Sequence, residues 1–535
     1  MSLVNRIAPS SKRQQRPQIV TPALPAPVGG LVTSQNIGAM QPGTAIVLSN
    51  WFPTRTGTAV RGGNRKHATT GTEPVESLMN YVGGNASAIF AGAGGNIYDI
   101  TSPVDPVTPP APDVTGQTSN YYSFINFPVT GGNRMPVVNG TDPLQLYDGL
   151  TWQAVTGVSV PIAITGVDTS TLIHINAYRN RIYMVESGSL NVWYLPVDSV
   201  GGAASVLSLS GVFTKGGVIQ FTATWSSESG AASMQAYLVV MSSEGEAAVF
   251  SGAFPEADDW SLVNVYDIAR PLGKNGWFRA GGDIVIATEM GMVPVSAARY
   301  KDPAALGMDA ISQKIEPTWK QAAQSRASLP WEIAKWNEND AFYVNTPAID
   351  GQETLTIVGN LTTGAISTYT GWDNRCFGIH NRQMYFGCND GTVRLAEVGG
   401  SDDGMPYTAQ AAFAWDHLGS PGWTKSIKQA QAIWNTTRPF AYRLSASTDY
   451  RQEFPISPNT LPDTDPASLW DSGLWDSAKW DAGEVQYNVR SRQLSIGRTG
   501  LVFSMEVQVP VNGTNTPQIE LVSVYHTTVA GGYGV

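Results

Sequence analysis

The chain is poor in the residues that most chemistry and many scaffolds require. Two cysteines, Cys376 and Cys388, in 535 residues exclude a disulfide framework, and without Cys-x-x-Cys spacing they exclude a thiolate zinc site. They flank one predicted hairpin and read as reduced, buried thiols, since cysteine packs as a small hydrophobe. A cross-strand contact between them stays open. The five histidines, His67, His174, His380, His417 and His526, form no His-x-His or His-Glu-x-x-His pattern and no cluster with cysteine; His174 reads as a strand residue. There is no Gly-x-Ser-x-Gly elbow and no Walker loop, and the glycines at 92–95 and 131–132 mark turns because no helix follows them. The acidic pairs Asp258-Asp259 and Asp402-Asp403 fall in loops, and Asp-Asp-Gly at 402–404 lacks the spacing of a calcium loop. No catalytic group, metal ligand or cofactor site is nominated, and the expectation is a protein that is not an enzyme. No run approaches the ~18 apolar residues of a membrane helix, and the N-terminus lacks the apolar segment of a secretory signal. A chain without a membrane span, made in a cytosol, is expected.

Charge is also scarce, at 14% of residues against about 25% in typical domains. Its place is taken by 55 glycines and 34 prolines, together with Ser, Thr and Asn, the material of short strands and many turns. The charge is unevenly placed. Arg6, Lys12, Arg13, Arg16, Arg55, Arg61, Arg65 and Lys66 lie in residues 1–66 with no Asp or Glu among them, which leaves 25 basic and 43 acidic residues beyond. That is a basic arm on an acidic body.

What is present is a repeat. Residues 180–195, NRIYMVESGSLNVWYL, read as strand, tight turn and strand, with apolar positions at the period of two that a pleated strand imposes. Similar hairpins recur at 86–100, 134–147, 237–250, 283–295, 341–358 and 383–395. All-β self-similarity at a spacing of roughly fifty residues is the signature of a propeller. The expected fold is all-β: an irregular β-propeller of six or seven blades, with an extended N-terminal arm and a smaller C-terminal β-domain.

The arm covers residues 1–45, rich in Pro, Gln and Ser and without periodicity. The propeller covers 46–404, and the C-terminal domain 405–535, beyond the Gly/Asp cluster 399–404. The proline-rich stretch 101–120 and the Gly/Ser stretch 200–209 read as loops. A short helical insertion is expected at about 302–325, where Asp302 caps, Pro303 opens the helix and Ile311, Ile315 and Trp319 form one stripe, with Pro317 breaking or kinking it. In the C-terminal domain Trp470, Trp475 and Trp480 each precede an aspartate at intervals of five, which fits neither helix nor strand. They read as successive turns, with a distal contact as their functional role. The forty-residue spacing and Gly-His partner of a Trp-Asp propeller repeat are absent.

Residues 49–63, SNWFPTRTGTAVRGG, resemble the Asn-Trp-Phe-Pro…Arg-x-Gly opening near the N-terminus of tail nozzle proteins of short-tailed bacteriophages, also called tail tubular or DNA-stabilisation proteins. The close match spans about fifteen residues; beyond it the likeness is one of pattern, a basic arm, a long all-β middle and a Trp-rich C-terminal part. The resemblance implies a structural subunit of the virion tail, assembled in the host bacterial cytoplasm. It implies a homohexameric ring, docked to a head-to-tail adaptor ring and contacted by tail fibre or tailspike proteins. DNA would be retained in the ring's lumen and conducted during ejection without sequence-specific binding. Trp51, Phe52, Pro53, Arg55, Arg61, Arg65 and Lys66 are the expected subunit or adaptor interface, with Trp51, Phe52, Pro53, Arg55 and Arg61 fixing the arm either to the propeller or to the next subunit. A receptor- or glycan-binding propeller is the second reading, and a propeller hydrolase or lyase the third.

Overall fold

The computed structural model describes residues 19–20, 23–84, 86–103, 108–229, 233–299, 303–349, 354–419, 421–438, 440–454 and 487–533. Each hairpin read from the sequence supplies the second and third strands of a separate antiparallel sheet. Blade 1 is Val75–Val82, Ser87–Ala93, Asn96–Asp99 and Pro112–Val114. Blade 3 is Leu172–Tyr178, Arg181–Glu186, Asn191–Tyr194 and Ser205–Ser208, and blades 2 and 4 repeat the scheme with their second strands at Gly132–Val138 and Ser233–Ser242. Blade 5 has three strands, Trp277–Ala280, Asp283–Thr288 and Gly291–Pro294. Blade 6 is Glu332–Trp336, Ala341–Thr346, Leu355–Asn360 and Ile366–Thr370. Blade 7 takes Asn374–His380, Gln383–Cys388 and Thr392–Ala396 from late in the chain and Asn64–Thr69 from its beginning as the outermost strand. The fold is an all-β propeller of seven blades, closed by pairing an early strand with a late one.

Every junction between neighbouring blades holds an apolar cluster. Leu78 and Ile89 of blade 1 meet Cys376 and Val393 of blade 7 in one; Trp336 and Tyr343 of blade 6 meet Phe377 and Phe386 of blade 7 in the next. This follows from the alternation in sequence. A strand in the middle of a blade is covered on both faces, so its even and odd residues enter different clusters. Cys376 and Phe377 show it directly, the first in the cluster toward blade 1 and the second in the cluster toward blade 6; Cys376 and Cys388, both buried and free, are divided between the same two clusters. They sit on opposite faces of one sheet and cannot bond.

A second unit grows out of blade 6. Its outer strand Ile366–Thr370 runs parallel to Ala45–Ser49, which pairs in turn with Tyr407–Phe413, and the sheet continues through Phe503–Val511 to Arg443–Thr448. A second sheet is built on two long strands, Trp423–Thr436 and Ile519–Tyr533, to which Trp51–Pro53, Thr58–Val60, Ala23–Pro25 and Ile19–Val20 add. The two sheets share one core, with Trp51, Trp434, Ala411 and Val507 fully buried, and that core runs on into Phe342 and Trp331 of blade 6.

Several expectations need correction. Residues 46–60, expected to open the propeller, pair into the sandwich, as do residues 23–25 and 45 of the arm; the propeller chain begins at Asn64. Stretches 101–120 and 200–209, expected as loops, contain the outer strands of blades 1 and 3, whose exposed edges remove the apolar signal. Pro317 does not break the helix: it stands in the first turn of Glu316–Arg326, where its missing N–H has no intrahelical partner to lose. That helix follows the three strands of blade 5, and Trp319 donates its indole N–H to the Thr288 carbonyl at 2.9 Å.

Because the two cysteines face different clusters, thiol titration of the chain unfolded without reductant should find two free thiols per chain; fewer than two would contradict the strand register.

Candidate functional site

The residues singled out at 49–66 form the joint between propeller and sandwich. Asn50 adopts a left-handed backbone, φ 61°, which turns the chain from one sheet of the sandwich into the other. Trp51 is fully buried and stacks on Trp434 with centroids 6.5 Å apart. Phe52 points the other way, against the aromatic cluster of blades 6 and 7. The Pro53 carbonyl accepts from Asn360 Nδ2 of blade 6 at 3.1 Å. Arg55 is exposed at the tip of the following turn. Arg65 and Lys66 lie on the closing strand of blade 7, paired with Leu395 and Arg394.

Arg61 is the centre of the joint, 1% exposed. Its Nη1 and Nη2 donate to Asp402 Oδ1 and Oδ2 at 2.8 and 2.6 Å, its Nε to Asn50 Oδ1 at 2.8 Å, and its remaining bonds go to the carbonyls of Gly62 and Thr370. The Tyr407 ring covers the guanidinium at 3.9 Å. Burial pulls the Arg61 pKa down, but the hydrogen bonds and charge of Asp402 outweigh it and the net shift is upward. Asn50 adds bonds to Thr370 and to the Thr408 carbonyl, and Asn64 Nδ2 donates to Asp402 Oδ1 at 2.8 Å. One polar knot thus ties blade 6, the end of blade 7 and the sandwich.

The glycines that follow are required by space. A Cβ on Gly62 would stand 2.6 Å from the Glu397 carbonyl carbon, and one on Gly63 2.0 Å from the Ser401 carbonyl oxygen. Glu397 itself has φ 59°; its Oε2 accepts the Gly62 N–H at 2.5 Å and its Oε1 the Tyr343 hydroxyl at 3.3 Å. Burial raises its pKa to about 7, against the opposing pull of Arg61 and the Gly62 N–H. Beside the knot a cleft of about 580 Å3 opens, lined by Phe52, Trp336, Tyr343, Arg382, Gln383 and Glu397. A larger one of about 880 Å3 lies at the end of the sandwich around loop 510–519.

The propeller axis is a second concentration of charge, and no motif announced it. Lys274, ahead of blade 5, donates from Nζ to the carbonyls of Tyr121 and Ile173 at 2.8 and 2.9 Å. It thereby reaches from blade 5 to the inner ends of blades 2 and 3. Burial lowers its pKa to about 7. Glu332 of blade 6 accepts the Phe377 N–H at 3.0 Å, and burial raises its pKa to about 8; Arg375 of blade 7 pairs with Glu76 of blade 1 at 3.2 Å. Lys274 spans the ring between blades that are not neighbours, while Glu332 and Arg375 fasten adjacent blades.

Among the described residues no group of three or more His, Cys, Asp or Glu side chains could hold a metal ion. His174 is buried in its strand with its pKa lowered by burial to about 3. Trp470, Trp475 and Trp480 lie outside the described residues. Of the two expected roles, fixing the arm to the propeller or meeting another subunit or adaptor, burial leaves Trp51 and Arg61 only a contact within the chain, with Trp434 and Asp402 more than 300 residues later. Asn50, Asp402 and Glu397 were not nominated. Their only sequence signal is an Asn before the Trp-Phe-Pro run and acidic residues after the last hairpin.

No protein-family profile matches the chain, and no curated protein does. Among solved structures, the chain is similar to BBS1N in complex with ARL6DN, at 8% identity, covering 66% of this chain and 97% of that one, TM-score 0.37. It is also similar to YCF48 from Cyanidioschyzon merolae, at 10% identity over 63% of this chain and 98% of that one, TM-score 0.34. The computationally designed Ika8 protein aligns at 11% identity over 62% of this chain and all of its own, TM-score 0.35. Likeness at this level concerns the fold alone, which the strand pairing already defines: a seven-bladed propeller that shares strands with a β-sandwich.

Removing the Arg61 guanidinium leaves Asp402 buried and uncompensated, so Arg61→Ala should lose about 3–5 kcal/mol in urea unfolding; a loss under ~1 kcal/mol would dismiss the knot as the joint. Glu397 has the opposite pH sign from a salt-bridged acid. Its folded pKa lies above the unfolded one, so the folded state holds the extra proton and stability falls as pH rises from about 4.5 to 7. Glu332 adds to the same slope up to about 8. Glu397→Gln should therefore flatten the urea midpoint between pH 5 and 7 while keeping the fold; an unchanged slope would refute the assignment.

Proposed function

We propose that the chain is a structural subunit of a bacteriophage tail nozzle, assembling into a ring, expected to hold six copies, whose lumen retains packaged DNA and then conducts it. The observation that carries the reading is the role of the motif itself. The residues that resemble the nozzle opening are architectural: Asn50, Trp51, Arg61, Gly62 and Gly63 join the two units of the chain, and none faces a reactive group. A short motif that builds such a joint is what a shared two-unit scaffold would need.

Two further features support it. The propeller axis is crossed by Lys274, so a channel for a polyanion belongs between copies, around the ring's symmetry axis. The body beyond residue 66 carries 43 acidic against 25 basic residues, and an acidic wall does not gain affinity by displacing counterions from phosphate. DNA would pass without being held. The adaptor ring above and fibres or tailspikes at the side are the partners this role needs, with the virion tail as its location.

A receptor- or glycan-binding propeller is favoured by one observation, the aromatic-floored cleft at the joint with Arg382 and Gln383 on its rim. Saturable binding of an oligosaccharide, lost in Gln383→Ala, would favour it over the nozzle.

Native mass spectrometry and electron microscopy of the purified chain at high concentration should show closed rings, six copies being expected. A strict monomer that is also absent from virions would overturn the proposal.

A further inference from the structure

The end of the sandwich opposite the Arg61 knot combines exposed apolar side chains with the point where the chain enters the fold. Ile19 pairs with Val529, and Ala23 with Tyr525, so the backbone comes in along the outer side of the long Ile519–Tyr533 strand, beginning at that strand's far end. Eighteen residues precede it. At the same end Trp423 stands opposite Tyr533, and Lys425 opposite Gly500, so Trp423 and Leu501 both lie at this end of the sheet. The Leu501 N–H donates to Asp449 Oδ1 at 2.8 Å. The neighbouring Tyr450 ring lies 5.3 Å from that of Trp415. A Cβ on Gly38 would stand 3.2 Å from the Tyr450 hydroxyl, so the turn bearing Ile37 closes the group. Ile37, Trp423, Tyr450 and Leu501 are 48%, 38%, 44% and 39% exposed.

Four large, partly exposed apolar side chains from four separate segments at one end of the sandwich are more than the scattered exposed residues every surface carries. Charge does not select the occupant: Asp416, Asp449 and Glu453 are matched there by Lys425, Arg451 and Arg498, the last 3.6 Å from Glu453. The occupant must offer apolar groups. The segment that ends at this place does so, with Leu3, Val4 and Ile7 near its start. At ~3.3 Å per residue, eighteen extended residues span roughly 60 Å, enough to reach back over the end they leave from or across to an adjacent copy.

We propose that this end of the sandwich is the docking surface for residues 1–18 of the chain, with Leu3, Val4 and Ile7 set against Ile37, Trp423, Tyr450 and Leu501. The inference stands apart from the nozzle reading, since it needs neither a ring nor DNA.

The test uses the full-length chain with a photo-cross-linking amino acid in place of Leu501, and a control in place of Leu262, which is 44% exposed on the outer strand of blade 4. Mass spectrometry should find cross-links from position 501 to peptides within 1–18 at least tenfold above those from position 262. A yield that does not change on dilution assigns the segment to its own chain and one that falls assigns it to a neighbour; either supports the docking. Equal yields from both positions, or a yield to residues 455–486 that matches or exceeds that to 1–18, overturn it. In parallel, Leu501→Asp, with its fold checked by circular dichroism, should speed trypsin cleavage after Lys12 and Arg13 several-fold, whereas Leu262→Asp should not. Equal cleavage rates in the two variants overturn it as well.

Discussion

A single buried ion pair decides how the two halves of this molecule sit together. Arg61 and Asp402 are both withdrawn from water, and a pair in that position gains little net stability, because desolvating each charge offsets most of their attraction. Their worth is directional. A guanidinium has five donors in a rigid plane, and here they are met by Asp402, Asn50, Gly62 and Thr370, which come from four different stretches of chain. Any shift of the sandwich against the propeller would break bonds that no water replaces.

The rest of the architecture follows the same economy of shared parts. The outer strand of blade 6 is no edge, since Ala45–Ser49 and the sandwich continue its sheet, and the hydrophobic core crosses with it. The two units therefore do not behave as beads on a linker, whose relative motion would be the default. Among the described residues, the outer strands of blades 1 to 4 pair with no further strand, in contrast to that of blade 6. At the hub, long polar side chains replace the packing that a narrow axis cannot supply.

Much of the propeller was legible because its second and third strands are covered on both faces, which writes a strong alternation into each hairpin. The outer strands were not legible. Pro112–Val114 and Ser205–Ser208 bury almost nothing, so nothing in their composition separates them from loops. Trp423–Thr436 was missed for a different reason: Lys425, Lys428, Gln429 and Gln431 dilute its apolar face, and register shifts at 423/425, 427/429 and 433/434 interrupt its alternation. The joint was half legible. Trp51 and Arg61 stood out as a motif, but Asp402 is 341 residues from Arg61, and no local pattern announces a partner at that distance. Lys274 and Glu332 carry no sequence signal, since a lone Lys or Glu reads as surface until the ring closes over it.

The strand that closes the seventh blade has a consequence for biosynthesis. Asn64–Thr69 leaves the ribosome early, yet its partner Thr392–Ala396 is made some 320 residues later, which at ~5–20 residues per second is roughly 15–65 s of translation. Throughout that interval the nascent polypeptide carries an unpaired edge, next to an arginine whose counter-ion does not yet exist. The blades between can stack in order as they emerge, but the circle and its hinge to the sandwich are completed together, after translation has passed the last hairpin.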